Sequence, residues 1–329
     1  MRILIYKEDG LGDSLFCIPF LKYLNDTNSN KIEIYFYSKY SNFLNSVFEG
    51  DLKNIEFINK DVLNYTNFNI TIFLGPIAKF FKDIITIKSK RKYSIIYKNK
   101  LLTNLVLNFF TNTIFFEEIN PVLDHEIFNL FNLVFYILKI ENLFDINLSN
   151  NLRKYILSLY DFENFNNFKL KIEKLNSENF NYFKNFKYPN GYIILHITYK
   201  SFLNGISIDD YYDLLKKIIK LGKKIFLVFG PLELKYLDNF KDIQSNDIII
   251  VSNIDLIEYV LICNKADVFI GFDTGACHLA AFSKTKKIIS LYPNKIFSYN
   301  SIRYSPISIY SKVINLPYSS LKDVINFIT

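Results

Sequence analysis

Short runs of Ile, Leu, Phe and Tyr alternate with stretches of helical period in two regions of the chain, the pattern of parallel sheets built from βαβ units. In the first half, strands are expected at Ile3 to Tyr6, Ile32 to Tyr37, Ile55 to Ile58, Ile70 to Leu74, Tyr93 to Ile96 and Thr113 to Phe116. A helix from Ser14 to Leu24 would put Leu15, Ile18, Leu21 and Leu24 near one face. The second series predicts strands at Tyr192 to His196, Lys224 to Phe229, Ile248 to Val251, Val268 to Gly271 and Lys287 to Leu291. Helices are expected between them at Asp209 to Lys220, Glu233 to Phe240, Leu256 to Asn264 and Ala276 to Ser283, with a closing helix from Ser319 to Ile328. Between them the pattern turns polar-aromatic, with Asn164, Asn166, Asn167, Asn176, Asn179, Asn181 and Asn185. The expectation is an α/β protein of two doubly wound domains, 1-165 and 166-329, joined within 141-190. Ligands of such folds bind outside the carboxyl ends of the strands, so the site is expected in a crevice between the two halves.

Composition supports a folded chain and narrows its partners. At 329 residues it exceeds one comfortable core. Half of it is hydrophobic and 17% aromatic, far from the profile of a disordered protein. The net charge of +7 is a diffuse lysine excess, densest at Lys88, Lys90, Arg91 and Lys92. That cluster reads either as a solvated helix end or as attraction to an anionic surface. No basic stripe interleaves with aromatics, so nucleic acid is not the expected partner. Cys17, Cys263 and Cys277 are too few and scattered for a disulfide framework or a metal site, which fits a reducing cytosol. Residues Met1 to Tyr6 read as a first strand rather than a targeting segment. The apolar stretch Ile127 to Ile140 falls short of the roughly 20 residues needed to span a bilayer.

Chemistry is sought in the loops after strands. Gly10-Leu11-Gly12-Asp13 joins the first strand to the first helix, where glycines admit close approach to a ligand. Asp13 there either caps the helix or faces a substrate. The segment Phe272-Asp273-Thr274-Gly275-Ala276-Cys277-His278 reads as strand, polar turn and a helix of small residues. Its free N–H groups and dipole favour a diphosphate, and Asp273 can accept from sugar hydroxyls. His278, one turn in, is either a packed core residue or a donor to the ligand. His196 and Thr198 end another strand on the same crevice, and Gly230-Pro231-Leu232-Glu233 follows a third. His125 has no identifiable partner and reads as surface or structural.

Together the Gly10–Asp13 and Asp273–Ala281 motifs resemble the ADP-heptose:lipopolysaccharide heptosyltransferases, glycosyltransferase family nine. The resemblance implies a GT-B fold whose first domain binds the acceptor and whose second binds the sugar nucleotide. It implies inverting, metal-independent transfer with no cofactor beyond the sugar-nucleotide donor, ADP-heptose in the family, and Asp13 as general base on the acceptor hydroxyl. It also implies donor contacts from Asp273, Thr274, Gly275, Ala276 and His278, ribose contacts from Glu233 in the Gly230 loop, and Gly10, Leu11 and Gly12 on the acceptor side. The acceptor would be a glycan or glycolipid, such as a lipopolysaccharide core, at the inner face of the cytoplasmic membrane.

One departure stands out. The family carries a Lys shortly before a Trp-Pro pair, where this chain has Tyr199-Lys200-Ser201-Phe202-Leu203-Asn204-Gly205-Ile206-Ser207, with Asn204 at the Lys position. Lys200 either supplies the missing cation from another point of the loop or is a solvated surface residue. Two other readings remain open: a pseudo-glycosyltransferase that binds nucleotide sugar or glycan without turnover, and a GT-B sugar-nucleotide epimerase.

Overall fold

The computed structural model describes residues 1–28, 32–75, 81–96, 107–120, 124–143, 152–161, 165, 169–171, 173–174, 191–240, 243 and 246–328. The chain divides into two compact units, the first built on Met1–Tyr160 and the second on Phe168–Thr329. Within the stretch expected to join them, Asn164, Asn166, Asn167, Asn176, Asn179, Asn181 and Asn185 lie outside the described residues.

The first unit runs β1 (Arg2–Tyr6), α1 (Leu11–Leu15), α2 (Ile18–Thr27), β2 (Glu33–Tyr37), α3 (Ser41–Phe48), β3 (Ile55–Ile58), α4 (Lys60–Tyr65) and β4 (Phe68–Phe73). It continues with α5 (Phe81–Thr86), β5 (Ser89–Ile96), β6 (Asn112–Phe115), α6 (Phe116–Ile119), α7 (Glu126–Ile140) and α8 (Leu152–Ser158). Its six strands are parallel, in the order β3-β2-β1-β4-β5-β6. The connections therefore leave β1 and β4 in opposite directions. Strand interiors such as Leu4, Ile5, Phe36 and Ile72 are fully buried, as a sheet covered on both faces requires.

Two expectations for this unit need correction, and the structural reading of His125 holds over the surface one. The helix expected over Ser14 to Leu24 is two helices, because Cys17 caps the second and Pro19 sits in its first turn, where a missing N–H costs nothing. The Lys88 to Lys92 cluster is no helix end: Lys90, Arg91 and Lys92 open β5, with Arg91 bonded to Glu141 and Lys92 donating to the Ile84 carbonyl. His125 is buried, and its Nδ1 accepts from Ile127 N to cap α7. Among the described residues no helix is long and apolar enough to cross a membrane.

The second unit runs β7 (Ile193–Ile197), α9 (Tyr199–Leu203), α10 (Ile208–Ile219), β8 (Ile225–Phe229), β9 (Ile248–Ser252), α11 (Leu256–Lys265), β10 (Val268–Phe272), α12 (Gly275–Phe282), β11 (Lys287–Tyr292), α13 (Phe297–Arg303) and β12 (Lys312–Pro317). Leu234–Phe240 and the closing Tyr318–Phe327, both expected as helices, are 3₁₀ helices. The sheet is again parallel and six-stranded, ordered β12-β11-β10-β7-β8-β9. Its reversal point lies between β10 and β7. Ile193, Leu195, Ile197, Ile225, Leu227, Val268 and Ile270 pack with Leu214, Ile218, Leu321 and Val324 into one core. Strand β12, at the sheet's edge, has no counterpart in the sequence expectation. Its residues are only half-buried and it ends on Pro317, so its apolar pattern is weak.

Candidate functional site

In a doubly wound sheet, the crevice at the strand reversal is bounded by loops that diverge to opposite faces, leaving backbone N–H groups exposed between them. In the second unit those loops follow β7 and β10. Strand β10 ends at Phe272, Asp273 turns the chain, and Thr274, in an extended conformation, is the N-cap of α12. The helix can lie close to its strand because Gly271 has no side chain; a Cβ there would stand 2.5 Å from the Phe269 ring and 3.0 Å from Cys277 Sγ.

The chain supplies a cation to this turn from the other loop. Lys200, in α9, donates from Nζ to Asp273 Oδ2 at 2.8 Å and to the Asp273 carbonyl at 2.7 Å. Asn300 of α13 donates to the same Oδ2 at 3.1 Å. Oδ2 of Asp273 is thus held by two donors of the protein. The lysine stays accessible, its side chain 46% exposed against 9% for Asp273. Thr274 makes no side-chain cap bond, and its Oγ1 is buried with no hydrogen-bond partner among the described residues. Gly275 and Ala276 open the helix, and His278 is buried one turn further in.

Toward β8, the Thr198–Leu203 turn is anchored at several points. Thr198 is buried, its N–H donates to Tyr211 Oη at 3.4 Å, and Ser201 Oγ donates to the Thr198 carbonyl at 2.7 Å. Ser201 Oγ also lies 2.7 Å from Tyr211 Oη. Buried Glu233 accepts from Tyr199 N at 2.5 Å, and Lys235 Nζ sits over the Tyr199 ring at 4.5 Å. His196 faces inward: its Nδ1 is 2.8 Å from Tyr259 Oη and its ring stacks on Phe269. Burial pushes the His196 imidazole down to about 4, so the ring is neutral at pH 7.

At the reversal of the first sheet, between β1 and β4, the charges are arranged the other way round. Lys7, just past β1, is buried. Burial alone would lower its pKa, but Asp13, Asp9 and Glu126 outweigh that and hold the ammonium above its ordinary value. Its Nζ lies 2.9 Å from Asp9 and 4.0 Å from Asp13. Asp13 Oδ2 accepts from Gly10 N at 3.2 Å, and Ser14 Oγ donates to the Gly10 carbonyl, so the Gly10-Leu11-Gly12 turn is fixed by its own helix. Asp13 both closes this turn and keeps its side chain 33% exposed, so the cap and the open carboxylate are one residue. Beside it, Tyr6 Oη contacts Glu8 at 2.7 Å and Asp83 at 2.5 Å, with Lys60 3.4 Å from Asp83.

The structure therefore gathers Asp273, Thr274, Gly275, Ala276 and Lys200 at one reversal point, with Thr198, Gly230 and Glu233 on the adjoining loops, and Gly10, Leu11, Gly12 and Asp13 at the other. Sequence reasoning missed Lys7, Asn300, Tyr199 and Lys235. Lys7 left a signal, a charge directly at the end of an apolar run; the other three left none.

No family model and no curated protein matches this sequence. Solved structures do. Escherichia coli heptosyltransferase WaaC with ADP is similar at 14% identity over 100% of both chains, with a TM-score of 0.63. The glycosyl transferase family 9 protein of Veillonella parvula is similar at 15% identity over 99% of this chain and 90% of that one, with a TM-score of 0.61. UDP-GlcNAc 2-epimerase of Methanocaldococcus jannaschii is similar at 14% identity over 99% of this chain and 92% of that one, TM-score 0.52. The fold is that of the GT-B proteins, with two Rossmann-like units spanning nearly the whole chain. Among these, the heptosyltransferase-type structures of family nine superpose better than the epimerase.

Proposed function

We propose that the protein is an inverting, metal-independent glycosyltransferase. It moves a sugar from a nucleoside diphosphate to a hydroxyl of a cell-envelope glycan or glycolipid, such as a lipopolysaccharide core. Heptose carried on ADP is the donor that the heptosyltransferase likeness favours. The observation that carries the reading is the Asp273–Gly275 turn with accessible Lys200 beside it and a buried Thr274 hydroxyl still free to bond: a cation, a hydroxyl and helical N–H groups meeting at a strand reversal suit a diphosphate.

In the reaction the acceptor hydroxyl attacks the anomeric carbon and the bond from that carbon to the diphosphate breaks. Asp13 takes the hydroxyl proton as general base. Lys200 and the first N–H groups of α12 stabilise the charge on the departing diphosphate. The assay is nucleoside diphosphate release from ADP-heptose and other sugar nucleotides, with and without lipid-linked core glycan. Release only with acceptor supports transfer; interconversion of the sugar nucleotide without acceptor points to an epimerase; binding without turnover points to a pseudo-enzyme. A glycolipid acceptor would bring the protein to the cytoplasmic face of the membrane, where exposed Lys88 and Lys90 can meet anionic lipid. Flotation with phosphatidylglycerol vesicles at low salt tests that contact, and a negative result removes it.

A further inference from the structure

Glu233 is an acid in the right loop to hold a nucleotide ribose, yet its carboxylate is turned into the protein. It is 7% exposed. One oxygen accepts from the N–H of Tyr199, 34 residues away and the residue directly before Lys200. The other lies 2.6 Å from where a Cβ on Gly230 would stand. The first oxygen is thus engaged by the chain.

The turn it holds needs holding. Helix α9 has five residues, too short to be stable by its own hydrogen bonds, and its first N–H groups have no partner within the helix. Glu233 supplies an acceptor for the first of them. Lys235, two residues on, lies over the Tyr199 ring, and Ser201 is tied to Tyr211, so the turn is clamped from both sides. Lys200 leaves this clamped turn and reaches Asp273 in the other loop.

We infer that Glu233 is a positioning residue for the diphosphate: it fixes the α9 turn so that Lys200 stands at the Asp273–Gly275 loop. This rests on the reading of that loop as a diphosphate site. A lysine held in place before the ligand arrives loses less entropy on binding, which is how a residue with no ligand contact raises affinity.

The test is calorimetry on the full chain with inorganic pyrophosphate and with the tightest-bound of ADP, GDP and UDP. Lys200→Met should weaken pyrophosphate binding roughly 10- to 100-fold, the worth of a hydrogen bond to a charged group. Glu233→Ala should weaken pyrophosphate too, and the double variant should bind little worse than Lys200→Met alone. Glu233→Gln keeps an oxygen for Tyr199 N and should retain most of the affinity. Losses that multiply in the double variant, or a Glu233→Ala that spares pyrophosphate and weakens only the nucleotide, overturn the inference. Should Glu233→Ala fail to fold, the preference for the ribonucleotide over its 2′,3′-dideoxy form in Glu233→Gln decides: kept if Glu233 is a strut, collapsed if it grips the ribose. A wild-type chain that binds neither pyrophosphate nor any nucleotide, or a Lys200→Met that leaves both unchanged, sinks the diphosphate reading itself.

Discussion

The two units place a lysine and an aspartate at the same point of the same topology, and they present opposite members of the pair. In the first unit the lysine is sealed in, with Lys7 at 3% exposure, and Asp13 is open at 33%. In the second, Asp273 is sealed in at 9% and Lys200 is open at 46%. The buried partner sets position and the open partner sets chemistry. An open carboxylate suits a hydroxyl that must lose a proton; an open ammonium suits a diphosphate that must gain stabilisation. The fold dictates where a site can be, and the charge that is buried there differs between the two units.

The largest effect that would break this comparison is on turnover. Asp13→Asn keeps the shape of the turn but removes the base, and should lower transfer by about 10²- to 10⁴-fold with nucleotide affinity unchanged. Full activity in that variant removes Asp13 from the chemistry. Next comes stability, where the two lysines should separate cleanly. Lys7→Met leaves Asp9, Asp13 and Glu126 around a buried space without their cation, at about 3–5 kcal/mol in denaturant unfolding. Lys200→Met, which leaves the buried Asp273 carboxylate its bond from Asn300, should cost less there, about 1–3 kcal/mol. Equal losses would mean that exposure does not distinguish the two pairs.

A smaller effect sharpens the second site. Thr274→Val removes a buried hydroxyl that has no partner, so the unliganded protein should lose no stability, while diphosphate affinity falls by about 1 kcal/mol, or several-fold. A thermal midpoint that drops instead would show that the hydroxyl already serves the fold. The smallest effect concerns pH. Burial holds the folded-state pKa of His196 at about 4, below the ordinary 6.5, so protons favour the unfolded chain. Its contribution is intact above pH 6.5 and is lost as pH falls toward 4. His196→Phe should flatten that limb of the stability profile, and an unchanged limb would assign it to other groups.

Much of this was legible in the sequence. Parallel strands buried on both faces read as unbroken apolar runs, so nearly every strand was found within a residue or two, and the glycine and Asp-Thr-Gly turns stood out in a chain with only 10 glycines. What could not be read was contact across the chain. Nothing local tells that Lys200 reaches Asp273, that Asn300 steadies the same carboxylate, or that Glu233 turns inward to Tyr199. The misreadings have local causes too: a proline is tolerated in a first helical turn, so the break before α2 left little trace, and a basic run opening a strand looks like one closing a helix.

The bond between Lys200 and Asp273 joins residues 73 apart, beside the pairing of β7 with β10 that registers Ile193 with Val268. Closing so long a loop is slow compared with forming the neighbouring β7–β8 or β10–β11 pairs, because chain entropy is spent before contacts repay it. The Lys200–Asp273 corner is therefore among the last parts of the second unit to assemble. During synthesis it cannot exist until β10 has left the ribosome.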